Sequence, residues 1–140
     1  MFKMIVAALV LGVSVAAPAM AGPKEDAAAV TAKWEQAFNA WNIDALASLY
    51  TKDALFFGST PDLYTGRDGV KAYFSKLPAG ALKAKMGEQH VVRVSANVIA
   101  TAGFVDFTRE GKVLPFRLTL VLVKTGRHWL IAEHHASPKG

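Results

Sequence analysis

The residues best suited to chemistry lie near the end of the chain, in the stretch WLIAEHHASP, Trp129–Pro138. A glutamate stands there beside two adjacent histidines. A Glu–His pair can move a proton when its carboxyl pKa is raised toward neutrality, and neighbouring histidines suggest a metal. The metal reading is weak. Successive side chains of a strand point to opposite faces, so His134 and His135 cannot both face one ion. The other histidines, His90 and His128, stand at no metal-ligand spacing. Cysteine is absent, which removes thiolate ligands, disulfides and a cysteine nucleophile. No glycine-rich phosphate loop and no serine elbow is present. Neither a metal nor a cofactor is therefore expected. Strand alternation groups Trp129, Ile131, Glu133 and His135 on one face, and Leu130, Ala132 and His134 on the other. The first set is bulkier and is expected to face inward, which leaves Glu133 and His135 as the candidate catalytic pair.

Helices and strands must place these groups. Val30, Trp34, Phe38 and Trp41 recur at helical spacing, predicting an amphipathic helix that starts near Pro23 and ends near Asn42. Asn42 or Asp44 can cap a short second helix carrying Leu46, Leu49 and Tyr50. ALFFG reads as a strand and GSTPDLYTG as a loop. Val70, Tyr73, Phe74 and Leu77 mark a third helix, capped near Asp68 and ended by Pro78 and Gly80. HVVRVSANVIA, GFVDFTREG, LPFRLTLVLV and HWLIAEHHAS are then strand-like runs separated by short turns, which pair antiparallel. The fold class is α+β, with helices on one face of a curved antiparallel sheet.

The chain has 140 residues, room for one domain. Its first residues, MFKMIVAALVLGVSVAAPAMAG, combine one cation, a short apolar run and small residues before a cleavage point. They read as a secretory leader over residues 1–21, removed to leave a domain over 22–140. The run is shorter than the roughly 20 residues that span a bilayer. The expected location is periplasmic or secreted, with no membrane attachment after cleavage. Without Lys3, 15 bases face 11 acids, a net charge of +4. The bases are scattered, so no nucleic-acid partner is expected.

FRLTLVLVKTGRHWLIAEHHASP resembles the final hairpin of the nuclear transport factor 2-like superfamily. It is most similar to the branch of SnoaL-like proteins and the calcium/calmodulin-dependent protein kinase II association domain. The elements of that resemblance are Arg117, Trp129, Ile131, His134, His135 and Ser137. LYTKDALFF, YTGRDGVKAYF and GFVDFT match as well, so that the likeness covers about Lys24 to Pro138. It implies a cystatin-like cone, in which a bent sheet wraps a long N-terminal helix and leaves a pocket at its open end. Ketosteroid isomerases of this superfamily carry an aspartate base just after the first strand. Here that place is near Gly58, and Asp62 in the next loop is an ordinary turn former. A SnoaL-type cyclisation uses a carboxylate and a histidine near the end of the sheet, loosely matched by Glu133 and His135.

The strand before the last one can be read two ways. Phe116, Leu118, Leu120 and Leu122 share one face; Arg117, Thr119, Val121 and Val123 share the other. The pattern alone buries the Phe/Leu face and leaves Arg117 in solvent. The resemblance implies the reverse: Arg117 enters the pocket and the Phe/Leu row meets a second subunit in a homodimer or higher homo-oligomer. A three-residue turn at Thr125–Arg127 would bring Arg117 opposite His135, whereas a two-residue turn at Thr125–Gly126 would bring it opposite His134. The family geometry is the expectation carried forward. On it, Arg117 and Thr119 join Glu133 and His135 as ligand-binding groups. Trp34, Phe38, Trp41, Phe57, Tyr64 and Tyr73 would supply aromatic walls for a small apolar or carboxylate-bearing molecule.

Two functional classes follow. One is an exported small-ligand-binding or assembly domain. The other is a cofactor-free isomerase, cyclase or hydratase that uses Glu133 and His135. Export is directly checkable: N-terminal sequencing of the exported protein should begin at Gly22, and an intact Met1 on cytoplasmic protein would exclude the leader.

Overall fold

A computed structural model of the chain describes residues 21–140. The expected leader, apart from Ala21, lies outside the described residues. Helix α1 (Pro23–Asn39) begins with proline in its first turn and with Glu25 and Asp26 at its positive end. It buries Ala27, Val30, Thr31, Trp34, Ala37 and Phe38. The chain then turns at Trp41, which adopts a positive φ of 54°, uncommon for a residue with a side chain. The Asn42 side chain accepts the Ala45 N–H at 3.0 Å and so caps α2 (Ile43–Ser48). Strand β1 (Tyr50–Phe57), strand β2 (Leu63–Thr65) and helix α3 (Gly66–Ser75) follow. The chain ends in β3 (Lys83–Ser95), β4 (Val98–Arg109), β5 (Lys112–Thr125) and β6 (His128–Pro138). None of the described helices is long and apolar enough to cross a membrane.

The fold is the expected α+β arrangement, one curved six-stranded sheet in the order β2-β1-β6-β5-β4-β3. Strands β3 to β6 form the antiparallel meander. Strand β2 lies where a loop was expected, and β1 runs parallel to β6. The run His90–Ala100, read as one strand, contains the β3–β4 turn, and Thr101 and Ala102, left between two strand-like runs, lie within β4. A Cβ at Gly103 would sit 2.1 Å from the Glu88 carbonyl oxygen. Glycine there admits the bulge between Met86 and Gln89 of β3.

Two expectations about the last hairpin are corrected. On β5, Leu118, Leu120 and Leu122 are only 1%, 3% and 0% exposed, while Arg117 and Thr119 are exposed. The row expected at a dimer interface is core. Arg117 lies outside and donates to the Pro138 carbonyl at 3.0 Å. On β6 the turn is two residues, Gly126–Arg127, with Thr125 opposite His128. A bulge then inserts one extra residue between Ile131 and Glu133, so Leu122 faces Ile131 while Val121 faces Glu133. One added residue reverses every later side chain. Ile131, His134 and Ala136 point to the core, and Glu133 and His135 point away. Thr119 is paired with His135 and Arg117 with Ser137. The four polar candidates therefore share a face, as expected, but it is the outer one.

Leu120→Lys should abolish folding instead of releasing a soluble monomer, because an unpaired ammonium in the core costs at least about 4 kcal/mol. Arg117→Ala should change stability by no more than about 0.5 kcal/mol, equally at pH 5 and pH 8. Denaturant unfolding of both variants checks these outcomes; a folded Leu120→Lys monomer would contradict the burial of this row.

Candidate functional site

Three buried polar side chains meet inside the sheet. Trp34 on α1 donates its indole N–H to the Tyr50 hydroxyl at 2.8 Å. The same hydroxyl lies 2.9 Å from Nδ1 of His134. Tyr50 opens β1 and is fully buried; Trp34 and His134 are each 3% exposed. The proton positions follow from counting donors. The phenolic oxygen already accepts from Trp34. Were His134 Nδ1 also protonated, the Tyr50 proton would have no acceptor, and an unmet buried donor costs about 1–3 kcal/mol. Tyr50 therefore donates to Nδ1, and the neutral ring carries its proton on Nε2. Burial, with the neighbouring His135 as a smaller cause, pushes the His134 pKa down to about 3. Burial likewise raises Tyr50 above the ordinary phenol range.

His134 also lines a cavity of about 260 Å³. Its Nε2 has no hydrogen-bond partner among the described residues, and it is not among the sealed, unpartnered polar atoms. This ring edge is the one that reaches the cavity. The wall is mainly aromatic: Trp34 and Phe38 from α1, Phe56 from β1, Tyr73 and Phe74 from α3, and Phe107 and Phe116 from β4 and β5. The Phe56 ring lies 4.5 Å from that of His134, centroid to centroid, and holds the imidazole in place. Arg109 is the one charged side chain among the lining residues, and it is exposed, at the rim. The position near Gly58 has no room for a base. A Cβ there would fall 2.2 Å from Cζ of Tyr73, whose hydroxyl accepts the Ser59 N–H at 2.9 Å.

A sequence model of the SnoaL-like domain matches residues 27–139, nearly the whole described chain. This chain belongs to the SnoaL-like domain family. Among solved structures it is similar to one from Xanthomonas campestris, provisionally named a calcium/calmodulin dependent protein kinase II association domain. Their identity is 25%, the match covers 88% of this chain and 92% of that one, and the TM-score is 0.72. A structure from Streptomyces avermitilis, provisionally named a dehydratase of the nuclear transport factor 2-like family, is 16% identical. That match covers 84% and 98% of the two chains, with a TM-score of 0.73. A Caulobacter vibrioides protein with a cystatin-like fold is 14% identical over 84% and 90%, with a TM-score of 0.74. The last two likenesses show the shared fold. No curated protein matches in sequence.

In this SnoaL-like domain the expected site residues divide. Trp34, Phe38 and Tyr73 line the cavity. Tyr64 backs the wall edge-on to Tyr73, at 5.3 Å between centroids, and its hydroxyl accepts from Lys76. Trp41 packs against Phe38 at the end of α1 without lining the cavity. Phe57 points outward and lies 5.6 Å from the His135 ring; its neighbour Phe56 faces in. Glu133, His135, Arg117 and Thr119 are absent from the lining. His134, Tyr50, Phe56 and Arg109 were missed. The sequence signal for His134 was the HH pair itself, whose inside member depends on strand parity. Among the described residues, no group of three His, Asp or Glu side chains is placed to hold a metal ion.

The neutral burial of His134 links stability to pH. Its folded pKa lies below the unfolded value of about 6.5, so between pH 6.5 and pH 3 the unfolded chain binds more protons. The contribution is full above pH 6.5 and is lost as pH falls, by about 3 kcal/mol between pH 7 and pH 4. His134→Leu should remove this slope while other carboxylate contributions remain. Chemical denaturation of both proteins at pH 7 and pH 4 measures the difference; equal slopes would mean that His134 protonates freely in the fold.

Proposed function

We propose that this SnoaL-like domain binds a small apolar molecule in the cavity beside His134, after export by the leader expected at residues 1–21. The observation that carries the reading is an aromatic-walled cavity of about 260 Å³ lined by His134, whose Nδ1 is engaged by Tyr50 and whose Nε2 has no partner among the described residues. A dry cavity of about 150 Å³ accepts benzene, so this one suits a ligand on the order of ten non-hydrogen atoms. Apolar walls with few polar groups are the usual composition of small-molecule sites. Arg109 at the rim can meet an anionic tail, such as a carboxylate, that remains in water.

Binding is favoured over turnover because the cavity lacks a group to take a proton. No Asp or Glu is among its lining residues. The Nδ1 of His134 is occupied by Tyr50, and Nε2 already carries its proton. The proton-transfer alternative through Glu133 and His135 would have to operate on the outer face, away from the cavity.

Ala136 is buried and lines the cavity, so Ala136→Phe should fill it. Indane titrated into wild-type protein should give saturable quenching of Trp34 fluorescence, and Ala136→Phe should reduce the affinity at least roughly tenfold. Non-saturable binding to wild type, or equal binding to folded Ala136→Phe, would remove the cavity from function.

A further inference from the structure

We infer that the ligand presents a neutral hydrogen-bond acceptor, of the ketone or ester carbonyl class, to Nε2–H of His134. In this inference the buried pair Trp34–Tyr50 enforces the choice by fixing the imidazole tautomer. It rests on the binding reading above and adds the chemistry of the ligand's inner end.

The argument starts from a ring that could present either of two faces. An unconstrained neutral histidine exchanges its proton between Nδ1 and Nε2, and offers a cavity a donor or an acceptor as the ligand requires. His134 has lost that freedom. The Trp34 indole can only donate, at 2.8 Å, to Tyr50; Tyr50 must therefore pass its own proton onward, and Nδ1 at 2.9 Å is its acceptor. Reversing the ring to Nδ1–H would leave the Tyr50 proton unmet in a site with no exposure. The indole, which has no tautomer of its own, is the fixed end that sets the direction of the chain. Such a tryptophan does more than line the wall, since its N–H orients a proton two groups away.

The cavity side completes the selection. Nε2–H has no partner among the described residues and borders a cavity whose wall is dominated by phenylalanines, with the two lining hydroxyls, of Ser59 and Tyr73, paired to each other at 2.9 Å. A hydrocarbon would leave this donor unmet, and a ligand whose only polar group is an N–H would set donor against donor. A carboxylate at this depth would lose its hydration with only a neutral partner, whereas a carbonyl oxygen is satisfied by one N–H. Shape alone admits all of these ligands; the relay separates them.

Three bicyclic probes of nearly equal size test the inference by calorimetry: indane, which is purely apolar; indanone, an acceptor; and indole, a donor. Wild-type protein should bind indanone roughly tenfold more tightly than indane, with indole no better than indane. In Tyr50→Phe the tautomer is released, so the preference of indanone over indole should fall toward parity. Should Tyr50→Phe fail to fold, nitrogen NMR of the wild-type protein gives an independent reading. His134 should show a protonated Nε2 and a bare Nδ1 throughout pH 5 to pH 8. Equal affinity for indane and indanone, a protonated Nδ1, or an unchanged preference in folded Tyr50→Phe would each overturn the inference and leave apolar binding intact. Failure of all three probes to bind would overturn the binding reading itself.

Discussion

The contact on which the rest of this structure depends is the shared hydroxyl of Tyr50. It joins α1 through Trp34 to β6 through His134, and it does so from the first residue of β1. Three elements distant in sequence thereby meet at one oxygen. The backbone reinforces the same junction, since Ile131 N–H donates to the Leu49 carbonyl at 2.8 Å and Tyr50 lies opposite Ile131 in the sheet. Arg67 of α3 adds a fourth element by donating its Nε–H to the Tyr50 carbonyl at 2.8 Å. A buried polar network is stabilising only when its members are satisfied together, so this junction specifies how helix and sheet dock as well as holding them.

The β6 bulge decides what that junction contains. Up to Ile131 the alternation read from sequence holds, and Ile131 faces the core as expected. The extra residue at Ala132–Glu133 then exchanges the two faces, so that His134 enters and His135 leaves. The same parity separates Phe56 from Phe57 on β1. Nothing in the composition of WLIAEHHASP marks the bulge, because Ala132 is small enough to sit on either face. The fold was legible for the opposite reason: helical spacings in α1 and α3 and the Val- and Leu-rich meander repeat over many residues, so no single position decides them. Helical spacing put Trp34, Phe38 and Tyr73 on buried faces, and the family resemblance implied that those faces line a pocket. In β5 the uninterrupted Phe116–Leu122 alternation gave the observed faces, and the orientation implied by family resemblance did not hold.

The outer cluster of Arg117, Thr119, Glu133 and His135 shows how far strand pattern carries. Side chains two apart on one strand, and opposite one another on neighbours, do share a face, so their grouping was recoverable from sequence. Grouping is a relative statement. Inside and outside are absolute, and they depend on the helices that cover one side of the sheet. Arg117 resolves its own charge at the surface, where water and the Pro138 carbonyl solvate it, and no buried partner is required.

The cavity joins stability to ligand chemistry. Packing Trp34, Tyr50 and His134 into the core satisfies every proton of the relay except one, the Nε2–H that faces the cavity. An unmet polar group among apolar walls costs about 1–3 kcal/mol, and close-packed interiors do not normally leave such space. A ligand that displaces water from this edge must supply an acceptor of its own or leave the donor unmet. A ligand acceptor avoids that cost, and anything that binds only the folded state stabilises it by mass action. The site's selectivity has this source: the poorer the cavity wall's own answer to the Nε2 proton, the larger the difference between a ligand that accepts it and one that does not.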